Sequence, residues 1–191
     1  PETWTFLSLS VIISTPISRN LFWTFNIEFS LPGIFLLEKI IVSPFTIGIT
    51  GTNGKTTVTQ LTTEILKQCF SVSTTLGNYN NDIGLPLSIL KSPEQKYQRC
   101  VYELGASKMN DISYLVNICA PDMTTLLNVS EAHMESFGSF ENLIKTKEEI
   151  FSHKNTDHIV LNKDDKHFAR WEKMNKFKKI TTVSISSDAD Y

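Results

Sequence analysis

The chain has 191 residues, of which 41% are hydrophobic and 20% charged, with a formal net charge of -2. That length and apolar content support a packed core and exclude a globally disordered chain. The charge excludes a nucleic-acid binder that works by bulk positive potential, and Cys69, Cys100 and Cys119 lie too far apart for a CxxC zinc site or a disulfide framework. They read as buried thiols of a reducing, cytoplasmic compartment.

Residues 1–44 are set apart by composition. Residues 1–45 hold six of the twelve Phe and two of the three Trp, but only five charged side chains: Glu2, Arg19, Glu28, Glu38 and Lys39. The stretch reads as an incomplete leading segment or a linker packed on the main body; a membrane-surface or partner-binding segment is the minor reading. Pro16, Arg19, Asn20, Glu28 and Pro32 break its apolar runs, so none reaches the roughly 18 residues of a membrane span. The opening Pro-Glu-Thr-Trp lacks the basic start of a signal peptide. The absence of an initial Met points to a processed or partial chain. Leu36–Phe45 is the candidate linking helix ahead of the main body.

From residue 45 the pattern alternates between short β-prone runs and helical periodicity, without internal repeats or low-complexity tracts. Phe45–Thr50 predicts a strand, and Val58, Leu61, Ile65 and Leu66 predict a helix over 56–68. Strands follow at 71–75 and 99–104. Ile112, Leu115, Val116 and Cys119 share one face of a helix over 111–119, which Pro121 stops. Strand 123–128, helix 139–152, strand 158–161, helix 165–176 and strand 180–185 complete the series. Such alternation predicts an α/β fold, a mainly parallel sheet with helices on both faces. Its ligands sit at the carboxyl ends of the strands.

The strongest local signal is Gly48-Ile-Thr-Gly51-Thr-Asn-Gly54-Lys55-Thr56-Thr57, which follows a β-run and opens a helix. Glycines let main-chain N–H groups ring an anion, and the helix adds its positive N-terminus. Lys55 then reaches the β- and γ-phosphates of ATP, and the Thr56 hydroxyl takes Mg²⁺. Gly51, Thr52, Asn53, Gly54, Lys55, Thr56 and Thr57 are the candidate nucleotide-binding residues. The loop is a variant, because G-x-x-x-x-G-K-[ST] wants Gly at position 49, where Ile49 stands. Glu103 ends the apolar run Cys100-Val-Tyr-Glu, where a carboxylate beside a phosphate loop makes a further magnesium contact.

These residues carry a resemblance. Gly51-Thr-Asn-Gly-Lys-Thr-Thr57 looks like the ATP loop of the Mur ligases and their folylpolyglutamate-synthetase relatives. Gly77-Asn-Tyr-Asn-Asn-Asp-Ile-Gly84-Leu-Pro86 is similar to the branch that adds D-Ala-D-Ala to a UDP-N-acetylmuramoyl-tripeptide. The same order is kept by Glu103-Leu-Gly-Ala-Ser107 with Asp111, Asn128-Val-Ser-Glu-Ala-His133, Lys145-Thr-Lys147-Glu-Glu-Ile-Phe151 and Leu161-Asn-Lys-Asp-Asp165. The resemblance implies a P-loop NTPase-like, ATP-binding central domain over 45–191 and an ATP-dependent amide ligase of peptidoglycan-precursor synthesis. That ligase turns a carboxylate into an acyl phosphate, which an amine then displaces. It also implies roles for single residues. Lys55, Lys147 and His133 serve catalysis, with Lys147 a candidate for carbamylation. Thr56, Glu103 and His133 bind metal, for two Mg²⁺ in all. Asn80 and Asn81 line the substrate site, and Asn162 contacts adenine with Asp165 nearby. Asn110 stands where the family often has Gly, and Asn tolerates a left-handed backbone.

The segment from Thr182 to Tyr191 resembles the end of the central domain, so a C-terminal ligase domain is expected to be absent. The implied partners are ATP, the UDP-N-acetylmuramoyl-tripeptide and D-Ala-D-Ala, with no nucleic acid and no membrane span. The alternatives are another Mur or folylpolyglutamate-type ligase, or a non-catalytic nucleotide-binding remnant.

Overall fold

The computed structural model describes residues 22–24, 40–42, 44–90, 97–131 and 134–191. The chain divides into two compact units, Pro1–Ser43 and Pro44–Tyr191. In the first, β1 (Phe22–Thr24) pairs antiparallel with β2 (Ile40–Val42). The expected linking helix over 36–45 is therefore corrected. Ile40–Val42 runs as a strand and Phe45 opens the next one, as the β-branched Ile-Ile-Val run favours. Residues 36–39 lie outside the described residues.

The second unit is built on β3 (Phe45–Thr50), β4 (Val72–Thr74), β5 (Arg99–Glu103), β6 (Met123–Leu126), β7 (His158–Asn162) and β8 (Lys179–Val183). They form one sheet in the order β4-β5-β3-β6-β7-β8 with every neighbour parallel. The helices are α1 (Lys55–Lys67), α2 (Gly84–Leu90), α3 (Asp111–Cys119), α4 (Met134–Phe137), α5 (Phe140–Glu148) and α6 (Phe168–Met174), with a 3-10 turn at Glu149–Phe151. The connection from β3 to β4 runs one way across the sheet, and that from β5 to β6 runs the other way over β3. Right-handed crossovers in opposite directions put α1 and α3 on opposite faces. They also make the carboxyl end of β3 a topological switch point, where α/β sheets open a crevice. Among the described residues no helix is long and apolar enough to cross a membrane.

Both faces are apolar, as the sequence pattern required. Ile49, Val101, Leu126, Ile159 and Leu161 are buried from the strands, and Leu104 just past β5. Helix α3 buries Ile112, Leu115, Val116 and Cys119, the four predicted. It opens on Asn110 at φ 69 and closes on Ala120 at φ 44, whose N–H donates to the Val116 carbonyl before Pro121 bars continuation. Helix α5 starts at the Ser139 cap, whose hydroxyl accepts from the Asn142 N–H at 3.1 Å.

Two expectations need correction. Cys69 is exposed, while Cys100 and Cys119 are buried; Cys69 falls just past α1, on the solvent side. The apolar residues of α1 are only partly its inner face: Val58 and Leu66 are half-buried beside the buried Thr59 and Thr63, while Leu61 is 59% and Ile65 70% exposed. Thr56 faces the end of β5, and residues three and seven positions on share that face. Helix α2 lies in a stretch for which the sequence pattern predicted no element; Pro86 falls in its first turn, where its missing N–H costs nothing.

Candidate functional site

The phosphate loop leaves the carboxyl end of β3. Thr50 anchors it from below, its hydroxyl donating to the Leu104 carbonyl at 2.7 Å. Gly54 takes φ 82, a left-handed turn into α1, and no side chain caps the helix. The leading N–H groups of a helix have no intrahelical acceptor, so they point, with the helix dipole, at the space above the loop. Lys55 opens α1, and its ammonium folds back to donate to the Thr52 carbonyl at 3.1 Å.

Glu103 is the hub of the site. It ends β5 in register with Ile49 and is only 2% exposed. Its Oε2 accepts from the Thr56 hydroxyl at 2.8 Å and its Oε1 from the Asn80 amide at 2.7 Å. Its N–H donates to the Thr75 hydroxyl at 2.8 Å. The carboxylate thus joins α1 to the segment before α2, and the main-chain N–H of the same residue ties in the residue following β4. Asn80 also receives the Gly105 N–H on its carbonyl at 2.7 Å. A Cβ at Gly105 would stand 2.7 Å from the Asn80 Oδ1, so a larger residue at this crossing must displace the Asn80 side chain.

These elements enclose a cavity of about 380 Å³. Thr52, Lys55, Asn80, Asn81, Lys108, Asp111 and Lys147 are among the residues that line it. Lys147 comes from the last turn of α5 and is 4% exposed. Burial pushes its ammonium down to a pKa of about 8, with Lys55 adding repulsion against the opposing pull of Asp111, Glu149 and Glu103. A solvated helix lysine has neither that burial nor that pKa. The wall beside it is shaped by Asp111 Oδ2, which accepts from the Ser107 N–H, the Ser107 hydroxyl and the Lys108 N–H at 2.8–3.0 Å. Glu149 accepts from the N–H groups of Asn110 and Ser113, both at 2.9 Å, and so caps α3 from the neighbouring turn.

The structure therefore gathers Gly51, Thr52, Lys55, Asn80, Asn81 and Lys147 on one cavity, with Thr56 and Glu103 bonded beside it. Asn81 spends its Oδ1 on the N–H groups of Ile83 and Gly84, at 3.3 and 2.7 Å, and so starts α2. Thr57 is exposed on the first turn of α1. Asn53 gives its N–H to the Asn128 side chain at 3.0 Å, which removes that group from the anion ring. Asn162 lies at the end of β7, two strands from β3, and its amide donates to the Leu127 carbonyl at 3.1 Å. Asp165 beside it accepts from the Val129 N–H at 3.0 Å. His133 lies outside the described residues. Sequence reasoning missed Lys108 and Asp111 as cavity residues, although the Ser107-to-Asp111 spacing, a hydroxyl ahead of a helix-opening acid, signals such a turn.

The Thr56 hydroxyl and Glu103 carboxylate are adjacent hard oxygen donors at a phosphate loop, and this donor set fits magnesium. Among the described residues no group of three His, Cys, Asp or Glu side chains converges as a metal cage. Magnesium at nucleotide sites takes one or two protein oxygens and completes its shell with phosphates and water.

Residues 49–191 match the family described as the Mur ligase middle domain. The UDP-N-acetylmuramoyl-tripeptide–D-alanyl-D-alanine ligase of Buchnera aphidicola (Acyrthosiphon pisum) is 39% identical over 140 residues, covering 73% of this chain and 30% of the relative. The enzyme of that name from Escherichia coli K12 is 37% identical over 140 residues, covering 72% and 30%. A crystal structure of the MurF ligase of Thermotoga maritima in complex with ADP superposes with a TM-score of 0.69 at 32% identity, over 85% of this chain and 40% of that one. The chain spans 30% of the length of these two curated relatives. By its phosphate loop, its parallel sheet and this match over most of its length, the chain belongs to the Mur ligase family, whose middle domain it carries in residues 49–191.

Proposed function

We propose that residues 45–191 form the ATP-binding domain of a cytoplasmic ligase that adds D-Ala-D-Ala to a UDP-N-acetylmuramoyl-tripeptide in peptidoglycan-precursor synthesis. The observation that carries this reading is the junction of Thr56, Glu103 and Asn80 beside a cavity lined by Lys55 and Lys147. It combines an anion-binding loop, an oxygen-donor pair and two cations in one crevice. The names of the relatives above supply the substrates.

A carboxylate is a poor acyl donor because its oxygen is a poor leaving group. In the proposed reaction the tripeptide carboxylate attacks the γ-phosphorus of ATP and ADP leaves, giving an acyl phosphate. The amine of D-Ala-D-Ala then attacks the acyl carbon, phosphate leaves, and the nitrogen loses a proton to give the amide. The first step brings two anions together. Lys55, released from the Thr52 carbonyl, offsets that charge at the phosphates. Thr56 and Glu103 would hold Mg²⁺, with His133 as a ligand of a second ion; bound magnesium neutralises charge on phosphate oxygens. Asn80, held by Glu103, orients the tripeptide end, Asn81 lines the same wall, and Asn162 meets the adenine. At a pKa of about 8, roughly a quarter of Lys147 is neutral at pH 7.5. The neutral amine adds to CO₂ and releases one proton, and the carbamate supplies an oxygen anion at the wall facing Lys55.

The test is Mg-ATP binding by calorimetry on this chain and on Lys55→Ala. Loss of a charge-assisted phosphate contact, on the order of 1.5–3 kcal/mol, predicts roughly ten- to a hundredfold weaker binding. A folded wild-type chain that binds no Mg-ATP, or a variant that binds equally well, overturns the reading.

A further inference from the structure

The phosphate loop is held by a side chain that the proposed reaction does not use. Strands β3 and β6 run parallel, and their ladder continues past both strand ends. The Leu127 N–H donates to the Thr50 carbonyl and the Thr52 N–H to the Asn128 carbonyl, both at 2.9 Å. One residue further the main chains diverge, and the Asn128 side chain takes over. Its Oδ1 accepts from the Asn53 N–H at 3.0 Å, and its Nδ2 donates to the Asn53 carbonyl at 3.1 Å. A carboxamide has the donor and acceptor of a peptide unit, so it serves as one more rung of the sheet.

We propose that Asn128 is a positioning residue for the nucleotide site, its carboxamide clamping the Asn53 main chain and so presetting the phosphate loop. The inference rests on the nucleotide reading above. Three further observations support it. Gly51 approaches so closely that a Cβ there would stand 3.0 Å from Leu127 Cβ and 3.3 Å from the Asn128 carbonyl oxygen, which leaves the loop no slack against this segment. The Thr52 hydroxyl accepts from the Ser130 N–H at 3.1 Å and donates to the Ser130 carbonyl at 3.3 Å, a second two-way clamp. The clamping segment is itself fixed from the far side, since the Val129 N–H donates to Asp165 Oδ2 at 3.0 Å. With Thr52 and Asn53 tied down, the N–H groups left for phosphate are those of the turn at Gly54 and the start of α1. A loop already in its binding shape loses less freedom when the anion arrives.

The experiment uses the full chain with ADP and Mg²⁺ as the probe. Affinity is measured by calorimetry, alongside hydrogen exchange of the Asn53 amide by NMR. The variants are Asn128→Ala, Asn128→Asp and, as a control, Thr156→Val, which removes a buried hydrogen bond to the Pro121 carbonyl before β6. Asn128→Ala is expected to weaken ADP roughly tenfold and to expose the Asn53 amide to exchange. Asn128→Asp keeps the acceptor and loses the donor. It should leave that amide protected and still weaken ADP, and it carries the test if the alanine variant does not fold. Thr156→Val should lower the melting temperature with unchanged affinity. Wild-type affinity in either folded Asn128 variant, or a loss no larger than in Thr156→Val, overturns the inference alone. A folded wild-type chain that binds no ADP overturns the nucleotide reading, and the inference with it.

Discussion

Replacing Lys147 by Met should make the protein more stable, and by an amount that depends on pH. The ammonium is 4% exposed, and burial is the first cause that lowers its pKa from 10.5 to about 8, with Lys55 second. At about 1.4 kcal/mol per pH unit, that displacement is a penalty of roughly 3.5 kcal/mol for the charged form in the folded state. The sign follows from proton counting. Well below pH 8 the side chain is protonated in both states, and the whole penalty is present. Between pH 8 and 10.5 the unfolded chain keeps the proton that the folded chain has released, so stability rises with pH. Methionine has similar length and no charge. Urea unfolding in CO₂-free buffer should therefore show Lys147→Met more stable by roughly 2–3 kcal/mol at pH 6.5, with the gap nearly closed at pH 10.5. Added bicarbonate at pH 8 should stabilise the wild type only, since carbamate formation draws on the neutral amine. A gap that stays constant with pH, or a methionine variant less stable at pH 6.5, would refute this account of the buried lysine.

Two further predictions test the frame around it. Glu148 is 5% exposed, accepts from Arg170 Nε and Nη2 at 2.7 Å, and accepts the Trp171 indole N–H at 3.1 Å. Glu148→Ala leaves the buried Trp171 indole N–H without its acceptor and takes one of the two carboxylate partners of Arg170, and should cost about 1–3 kcal/mol. Glu141→Ala, which removes the partner of Arg170 that is 49% exposed, should cost under about 1 kcal/mol; thermal melts of the two variants separate the cases. Gly105→Ala pushes a methyl against Asn80 and should destabilise by about 1–3 kcal/mol. Because Asn80 is bonded to Glu103, nucleotide affinity measured on the same samples should fall as well.

What the sequence made legible was what local chemistry decides. Helix α3 carries its whole inner face in four apolar residues and its ends in Asn110 and Pro121, so its limits could be read directly. The phosphate loop was legible because Gly54, Lys55 and Thr56 fall between a strand and a helix. The clamp at Asn128 was not, because 75 residues separate it from Asn53 and only the parallel pairing of β3 with β6 brings them together. Lys147 was singled out by its motif. Its burial depends on how α5 lies over the cavity, which no spacing in its own helix encodes. Asp165 was singled out beside Asn162; its contacts with the N–H groups of Val129 and His167 depend on the fold and could not be read from its motif.

The rotation of α1 shows how the site governs packing. Turning the helix to bury Leu61 and Ile65 would gain roughly 1.5–3 kcal/mol for each side chain, more than the hydrogen bond from Thr56 to Glu103 contributes alone. The helix nevertheless faces the sheet with Thr59 and Thr63, and Thr63 donates to the Thr74 hydroxyl at 3.1 Å. Only residues 51–54 link the end of β3 to α1, and the main chains of Thr52 and Asn53 are already bonded to the segment after β6. A helix rotates about 100° per residue, so changing its inner face requires rewinding that linker, which the clamps on Thr52 and Asn53 oppose. The direction of Thr56 is therefore imposed by the phosphate loop from the N-terminus, and the apolar side chains of α1 fall where that direction leaves them.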